Sequence, residues 1–156
     1  MFNGGHIVVV SGGRDYKNES YVIEQLDAFH KSMGIRLLVH GACYPKVNRV
    51  TRALPRESLD YLVGLWASNN GVEQKPFPAD WNTHGRAAGP IRNKEMLEWA
   101  GSQYVKGNHL VIFMAFPGGK GTNGCFNEAY KLGKFYMIDL RREPPVSANY
   151  QRVHLN

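Results

Sequence analysis

The chain has 156 residues and a mass of 17.6 kDa, with 43% hydrophobic and 21% charged residues, which fits one globular domain and leaves little room for two. A domain of about 150 residues buries roughly 68–70% of the surface its unfolded chain exposes, so neither disulfides nor a metal are required to hold a core. Lys and Arg number 19 against 13 Asp and Glu, a formal charge of +6 with a pI near 9.4, which points to anionic partners: nucleic acid, nucleotide or acidic lipid.

The first residues, MFNGGHIVVVSGGRDY, lack a basic leader, and their apolar run stops at Ser11-Gly12-Gly13, so neither a signal peptide nor a membrane span is expected. Ile7 to Val10 is a β-branched run with the pattern of a strand buried on both faces. Cap candidates Asn18 and Ser20 follow, then Val22, Leu26, Phe29 and Met33 at helical spacing, with Gly34 as the stop. Leu37 to Val39 repeats the strand pattern and ends at His40-Gly41-Ala42. The next segment, Tyr44 to Arg56, is polar, basic and without a clear period. Leu59, Leu62, Val63 and Trp66 then form one helical face closed by Asn70-Gly71.

Val72 to Phe77 is a weak third strand, Asp80 to Pro90 a loop, and Pro90 the first residue of a helix carrying Met96, Leu97 and Ala100. His109 to Phe116 is the strongest strand pattern and abuts Pro117-Gly118-Gly119-Lys120-Gly121-Thr122. Phe126, Ala129 and Tyr130 mark a further helix, Gly133 stops it, and Phe135 to Leu140 is a last strand. Strands alternating with amphipathic helices predict an α/β fold: a Rossmann-like three-layer sandwich of about five mostly parallel strands with helices on both faces. One domain over residues 1–142 is expected, followed by a short polar tail over 143–156 that is the one candidate for disorder.

In such sheets ligands bind beyond the carboxyl ends of the strands, where strand order reverses. Pro117 to Thr122 is the most specific signal there. Its glycines permit positive φ and close backbone approach, the following helix adds the positive end of its dipole, Lys120 brings a cation, and Thr122 can cap the helix or donate to a phosphate. The spacing is not that of a Walker A loop, and an ordinary glycine-rich turn capped by Thr122 is the plain alternative. Gly12-Gly13-Arg14-Asp15 resembles a first βα turn: Arg14 can meet a phosphate and Asp15 a ribose hydroxyl, unless the two simply pair with each other. Gly41 and Ala42 close the second strand on the same rim. In His84-Gly-Arg-Ala-Ala-Gly-Pro-Ile-Arg-Asn93, small residues leave room for a ligand, and Arg86, Arg92 and Asn93 offer donors. Arg92 sits against the helix dipole unless a ligand or Glu95 compensates it. His84 is a donor candidate or a structural histidine. Trp81 beside Asp80 is a base-stacking candidate or a core residue.

Cys43 and Cys125 are the only cysteines, too few for a disulfide scaffold, and a reducing, cytoplasmic setting is expected. His40, Cys43, His84 and Cys125 lack the spacing of a zinc site, so no metal is expected.

The ordered set Gly12-Gly-Arg-Asp-Tyr16, His40-Gly-Ala42, Ser58-Leu-Asp60, Phe77-Pro-Ala-Asp-Trp81, His84 to Asn93 and Phe116-Pro-Gly-Gly-Lys-Gly-Thr122 resembles the YspA (cpYpsA-related) family of the SLOG superfamily, from His6 to about Leu140. The superfamily includes the Lonely Guy phosphoribohydrolases and the DNA-processing protein DprA. The resemblance implies a Rossmann-like fold binding a nucleotide or nucleotide-derived ligand, in members often found in phage and mobile elements. Two departures matter. The paired glutamates that Lonely Guy enzymes carry after the Gly-Thr are Gly124 and Cys125 here, while their upstream arginine has a counterpart in Arg92. The basic stretch Tyr44 to Glu57 separates His40-Gly-Ala42 from Ser58-Leu-Asp60, as a lid, a contact surface or a plain loop.

Three functions follow as expectations. The first is a sensor or sequestering module for a NAD-, ADP-ribose- or purine-type ligand, needing no other cofactor. The second is a hydrolase of an N-glycosidic or phosphate bond, with Asp15, Asp60, Asp80 or Glu128 as general acid or base. The third is a DprA-like single-stranded nucleic-acid binder using Tyr44, Arg49, Arg52 and Arg56. A homo-oligomer is expected, and a membrane partner is not.

Overall fold

A computed structural model describes residues 5–105, 107–143 and 150–152. Its sheet contains β1 (His6–Ser11), β2 (Ile35–His40), β3 (Glu73–Pro76), β4 (Val111–Ala115), β5 (Tyr136–Asp139) and β6 (Tyr150–Arg152). The spatial order is β3-β2-β1-β4-β5-β6, with β1 to β5 parallel and β6 antiparallel to β5. The five expected parallel strands are thus all present. The sixth strand lies inside the segment expected to be a tail.

Helices α1 (Glu19–Ser32) and α2 (Leu59–Asn69) cover one face; α4 (Ala88–Ser102) and α5 (Lys120–Leu132) cover the other. Period-two alternation sorts β1 between them. Val8 and Val10 pack under α1 and α2, Ile7 and Val9 under α4 and α5, and all four are buried. This three-layer arrangement explains why β1 and β4 read as unbroken apolar runs. Edge strand β3 is the exception: it reads Glu-Gln-Lys-Pro and places Pro76 where a missing N–H costs no inner ladder bond.

Local chemistry sets the helix ends. Asn18 caps α1 through its side-chain oxygen, which accepts from the Tyr21 N–H at 3.2 Å, and Gly133 ends α5 in the left-handed region at φ 65°. The Trp66 indole donates to Asp27 at 2.8 Å and ties α2 to α1. After β5, Glu143 accepts from the Tyr16 hydroxyl and, at 2.7 Å, from the Asn18 amide, so the chain leaving the sheet is fastened to the start of α1.

Three expectations change. The loop Asp80 to Pro90 is helical: α3 (Trp81–His84), capped by Asp80, runs through a 3₁₀ turn (Gly85–Ala87) into α4. Pro90 is therefore the third residue of its helix, a position whose N–H has no intrahelical acceptor in any case. Thr122 lies inside α5, and Gly119 occupies the cap without a side-chain bond. Gly118, Gly119 and Gly121 do not have positive φ. What Gly118 requires is space, because a Cβ there would lie 2.8 Å from the Gly13 nitrogen and 2.9 Å from the Thr122 Cβ.

That distinction is testable. Gly118→Ala is expected to destabilise the protein by about 1–3 kcal/mol through overpacking. Gly124→Ala, at a helical position where a Cβ meets nothing within 4 Å, is expected to stabilise it by about 0.5–1 kcal/mol. Urea denaturation of the two variants checks both signs.

Candidate functional site

β1 pairs with β2 on one side and β4 on the other, so the switch point lies at the carboxyl end of β1. A cleft of about 830 Å³ opens there, walled by the ends of β1 and β2, the start of α5 and one side of α4. Backbone contacts form its floor. The Gly13 N–H donates to the Pro117 carbonyl at 2.9 Å, and the Gly13 carbonyl accepts from the Leu59 N–H at 3.0 Å, which locks the first turn to both the β4 turn and α2. Gly12 is glycine for the same reason as Gly118: its Cβ would lie 2.8 Å from the Leu59 Cβ.

Of the residues expected at the site, Gly12, Gly13, Arg14, Gly41, Trp81, Arg86, Arg92, Asn93, Gly119, Lys120, Gly121 and Thr122 line this cleft, together with Asp60 and Glu128. Asp15, Ala42, Asp80, His84, Pro117 and Gly118 do not. Asp80 is spent as the α3 cap: the Thr83 hydroxyl and N–H hold its carboxyl below the usual range. Pro117 and Gly118 shape the floor from below. Ala42 is a backbone element at φ 53° whose N–H donates to the His40 Nδ1 at 3.1 Å, leaving the His40 Nε2 to donate to Gln74 at 3.0 Å.

Arg92 is the most constrained group. It lies in the second turn of α4, not the first, and is 8% exposed. Its guanidinium donates to the carbonyls of Gly41 and, at 3.3 Å, Phe77, while its Nε donates to Asn93 at 2.8 Å. Glu95 takes no part. A Cβ at Gly41 would lie 2.7 Å from the centre of that guanidinium, so a side chain there would push Arg92 aside. Among the described residues the second terminal nitrogen meets only the Cys43 sulfur, at 3.7 Å, and so keeps donor capacity for a ligand oxygen. Asp60 supplies the nearby negative charge. Its carboxylate accepts from the Cys43 N–H at 3.0 Å, and burial pushes its pKa up while that N–H, His40 and Arg92 pull the other way.

At the opposite wall, α5 begins without a side-chain cap, and Gly119, Lys120, Gly121 and Thr122 at its start line the cleft. Gly121, Gly124, Cys125 and Glu128 follow along one side of that helix. Cys125 bonds to Ser11 and burial pushes its thiol up to about 12, which makes it an inert wall residue. Arg14 does not pair with Asp15. Its guanidinium stacks on Trp81, 4.6 Å from the ring centroid, a pair worth ~0.5–1 kcal/mol at an exposed site. Trp81 is 42% exposed and is not a core residue.

Gly89, Pro90 and Ile91 line the cleft within the segment already singled out, whereas sequence reasoning missed Val10, Ser11, Cys43, Lys94, Met96, Gly124 and Cys125 as cleft residues. Helical spacing marks Met96 from Arg92 and Cys125 from Thr122. Cys43 carries no such mark, because its approach to Arg92 depends on tertiary folding. The basic stretch after it leaves the cleft wall as a loop pinned at both ends: Ser58 donates to the Cys43 carbonyl, and Asp60 holds the Cys43 N–H. Arg56 pairs with Glu19 at 2.9 Å, whereas Tyr44, Val47, Val50 and Leu54 are exposed. Among the described residues no group of three His, Cys, Asp or Glu could hold a metal ion, and no helix is long and apolar enough to cross a membrane.

Fold and cleft together define a Rossmann-like α/β protein with a basic, glycine-lined site at its switch point. Residues 6–54 match the family described as "YspA, cpYpsA-related SLOG family". The chain is also 31% identical over 136 residues to the Gene 61 protein of Mycobacterium phage D29, an alignment that covers 81% of this chain and 90% of that protein. The chain belongs to the YspA, cpYpsA-related SLOG family, as its motifs suggested. That membership points to a nucleotide-related function.

The Asp60 environment has a pH signature. Because folding raises its pKa, the native state holds the Asp60 proton more tightly than the unfolded chain does. Stability from that proton is present below the ordinary carboxylate value and is lost as pH rises from there through the raised native value. Asp60→Asn has no such proton to lose. Wild type is therefore expected to lose stability relative to that variant from about pH 4 upward, measured by urea denaturation at stepped pH. A wild type that gains on the variant over that range would show that Arg92 outweighs burial.

Proposed function

We propose that the protein captures a phosphate-bearing, nucleotide-derived small molecule in this cleft, as a sensor or sequestering module. The observation that carries the reading is the convergence of two anion-seeking elements on one cavity: the uncapped start of α5 beside Lys120, and the Arg92 guanidinium with donor capacity left over. The volume, about 830 Å³, suits a nucleotide. SLOG membership agrees with this class of ligand.

A hydrolytic reading keeps one specific support. Of the four carboxylates considered, Asp15 and Asp80 lie off the cleft and Asp60 is buried among donors, whereas Glu128 is exposed and lines the cavity two turns along α5. Turnover would therefore fall to Glu128. Release of free base or ribose phosphate from nucleoside monophosphates or NAD-type compounds, abolished by Glu128→Gln, would establish the enzyme over the binder.

Mass spectrometry of small molecules released from the purified, denatured protein is expected to show a phosphate-bearing nucleotide. Lys120→Glu places a carboxylate at the mouth of the α5 anion site and is expected to weaken equilibrium binding of that compound roughly tenfold or more. The melting temperature should hold, because Lys120 is exposed and an acidic residue suits a helix start. Unchanged affinity would remove α5 from the site.

A further inference from the structure

Trp81 stands apart from the other two tryptophans. Trp66 is 3% exposed and bonded to Asp27, and Trp99 packs on Phe77 with Lys75 over its ring, whereas Trp81 is 42% exposed at the rim of the cleft. Its edge rests on α4, where a Cβ at Gly89 would lie 3.5 Å from the ring. One face carries the Arg14 guanidinium, its central carbon 4.6 Å from the ring centroid. Among the described residues Arg14 has no hydrogen bond or ion pair, and its side chain lies on the Trp81 ring.

The position of Arg14 gives the span. It follows Gly13, whose N–H is bonded to the Pro117 carbonyl at the foot of the anion cradle, and its far end reaches Trp81. One arginine side chain thus runs from the turn beside the cradle to the ring, the crossing a ribose would make between phosphate and base.

We propose that Trp81 is the base platform of the cleft: the nucleobase takes the ring face that Arg14 covers, and the released Arg14 turns to the phosphate. This rests on the cleft being a phosphate site, and it makes the ring the element that distinguishes a nucleotide from a bare sugar phosphate. Two weak contacts, cation on ring and water on phosphate, are exchanged for a base stack and a charge-assisted phosphate contact.

The test is calorimetric titration of the protein with AMP, GMP, CMP and UMP and with ribose 5-phosphate. Wild type is expected to bind the nucleotides on the order of tenfold or more tighter than ribose 5-phosphate, as base stacking on an aromatic residue implies. Trp81→Ala should collapse that ratio toward one, Trp81→Phe should keep most of it, and Arg14→Ala should weaken both ligand types. In wild type, nucleotides but not ribose 5-phosphate should quench tryptophan emission, with Trp81→Phe removing the effect; this readout stands even if Trp81→Ala fails to fold. If ribose 5-phosphate binds as tightly as the nucleotides, or the ratio survives in Trp81→Ala, the platform is overturned while the phosphate cleft stands. If neither ligand type binds, both fall.

Discussion

A guanidinium buried at the head of α4 holds the carboxyl edge of this sheet together. Arg92 reaches the carbonyl of Gly41 after β2 and that of Phe77 after β3, touches the sulfur of Cys43, and lies in the field of Asp60 on α2. Two strand ends and two helices on opposite faces of the sheet are thereby referred to one charge. Burying that charge is tolerable only because carbonyl oxygens and a nearby carboxylate meet it. The arrangement also bears on sequence elsewhere, since a side chain at Gly41 would displace the guanidinium.

Space, not backbone conformation, explains three of the glycines at the cleft and its floor. Gly12 yields to Leu59, Gly41 to Arg92 and Gly118 to Thr122 and Gly13, and none of the three has positive φ. Left-handed backbone occurs instead at turn glycines and, among described non-glycine residues, at Ala42, Arg52 and Ser58. All three belong to the loop that leaves and re-enters the cleft wall. Such conformations are costly for residues with a side chain and persist where surroundings over-determine them. Here the Ala42 N–H is held by His40 and the Ser58 hydroxyl by the Cys43 carbonyl, so strain in the loop is anchored at its two feet.

Elements whose signal is local were legible in the sequence. The β-branched run at Ile7 to Val10, the Asn18 cap and the stop at Gly133 each act through neighbours within a turn, and the alternation of strands and helices then yields the parallel sheet and its rim. Residues 81–87 were misread because Gly85 and the small residues around it suggest a loop, whereas the Asp80 cap starts a short helix that runs on into α4. β6 was missed because three residues pairing with the edge of β5 carry too little pattern to stand out. The Arg14–Trp81 stack and the approach of Cys43 to Arg92 join residues 67 and 49 positions apart, and no local rule reports such distances.

Net charge gains meaning only once it is placed. Arg56 is paired with Glu19, and Arg141 with Asp139 while lying over Phe126, so these cations are compensated within the protein. The cleft, by contrast, is lined by Arg14, Arg86, Arg92, Lys94 and Lys120 against Asp60 and Glu128. Five cations thus face two carboxylates, and one of the two, Asp60, is buried and bonded to the Cys43 N–H. A concave site of that sign, with low-dielectric walls, concentrates its field on whatever enters. A ligand bearing a phosphate would relieve the mutual repulsion of those cations as well as satisfy their donors, so the affinity of such a site for anions and its cost to the unliganded fold have the same origin.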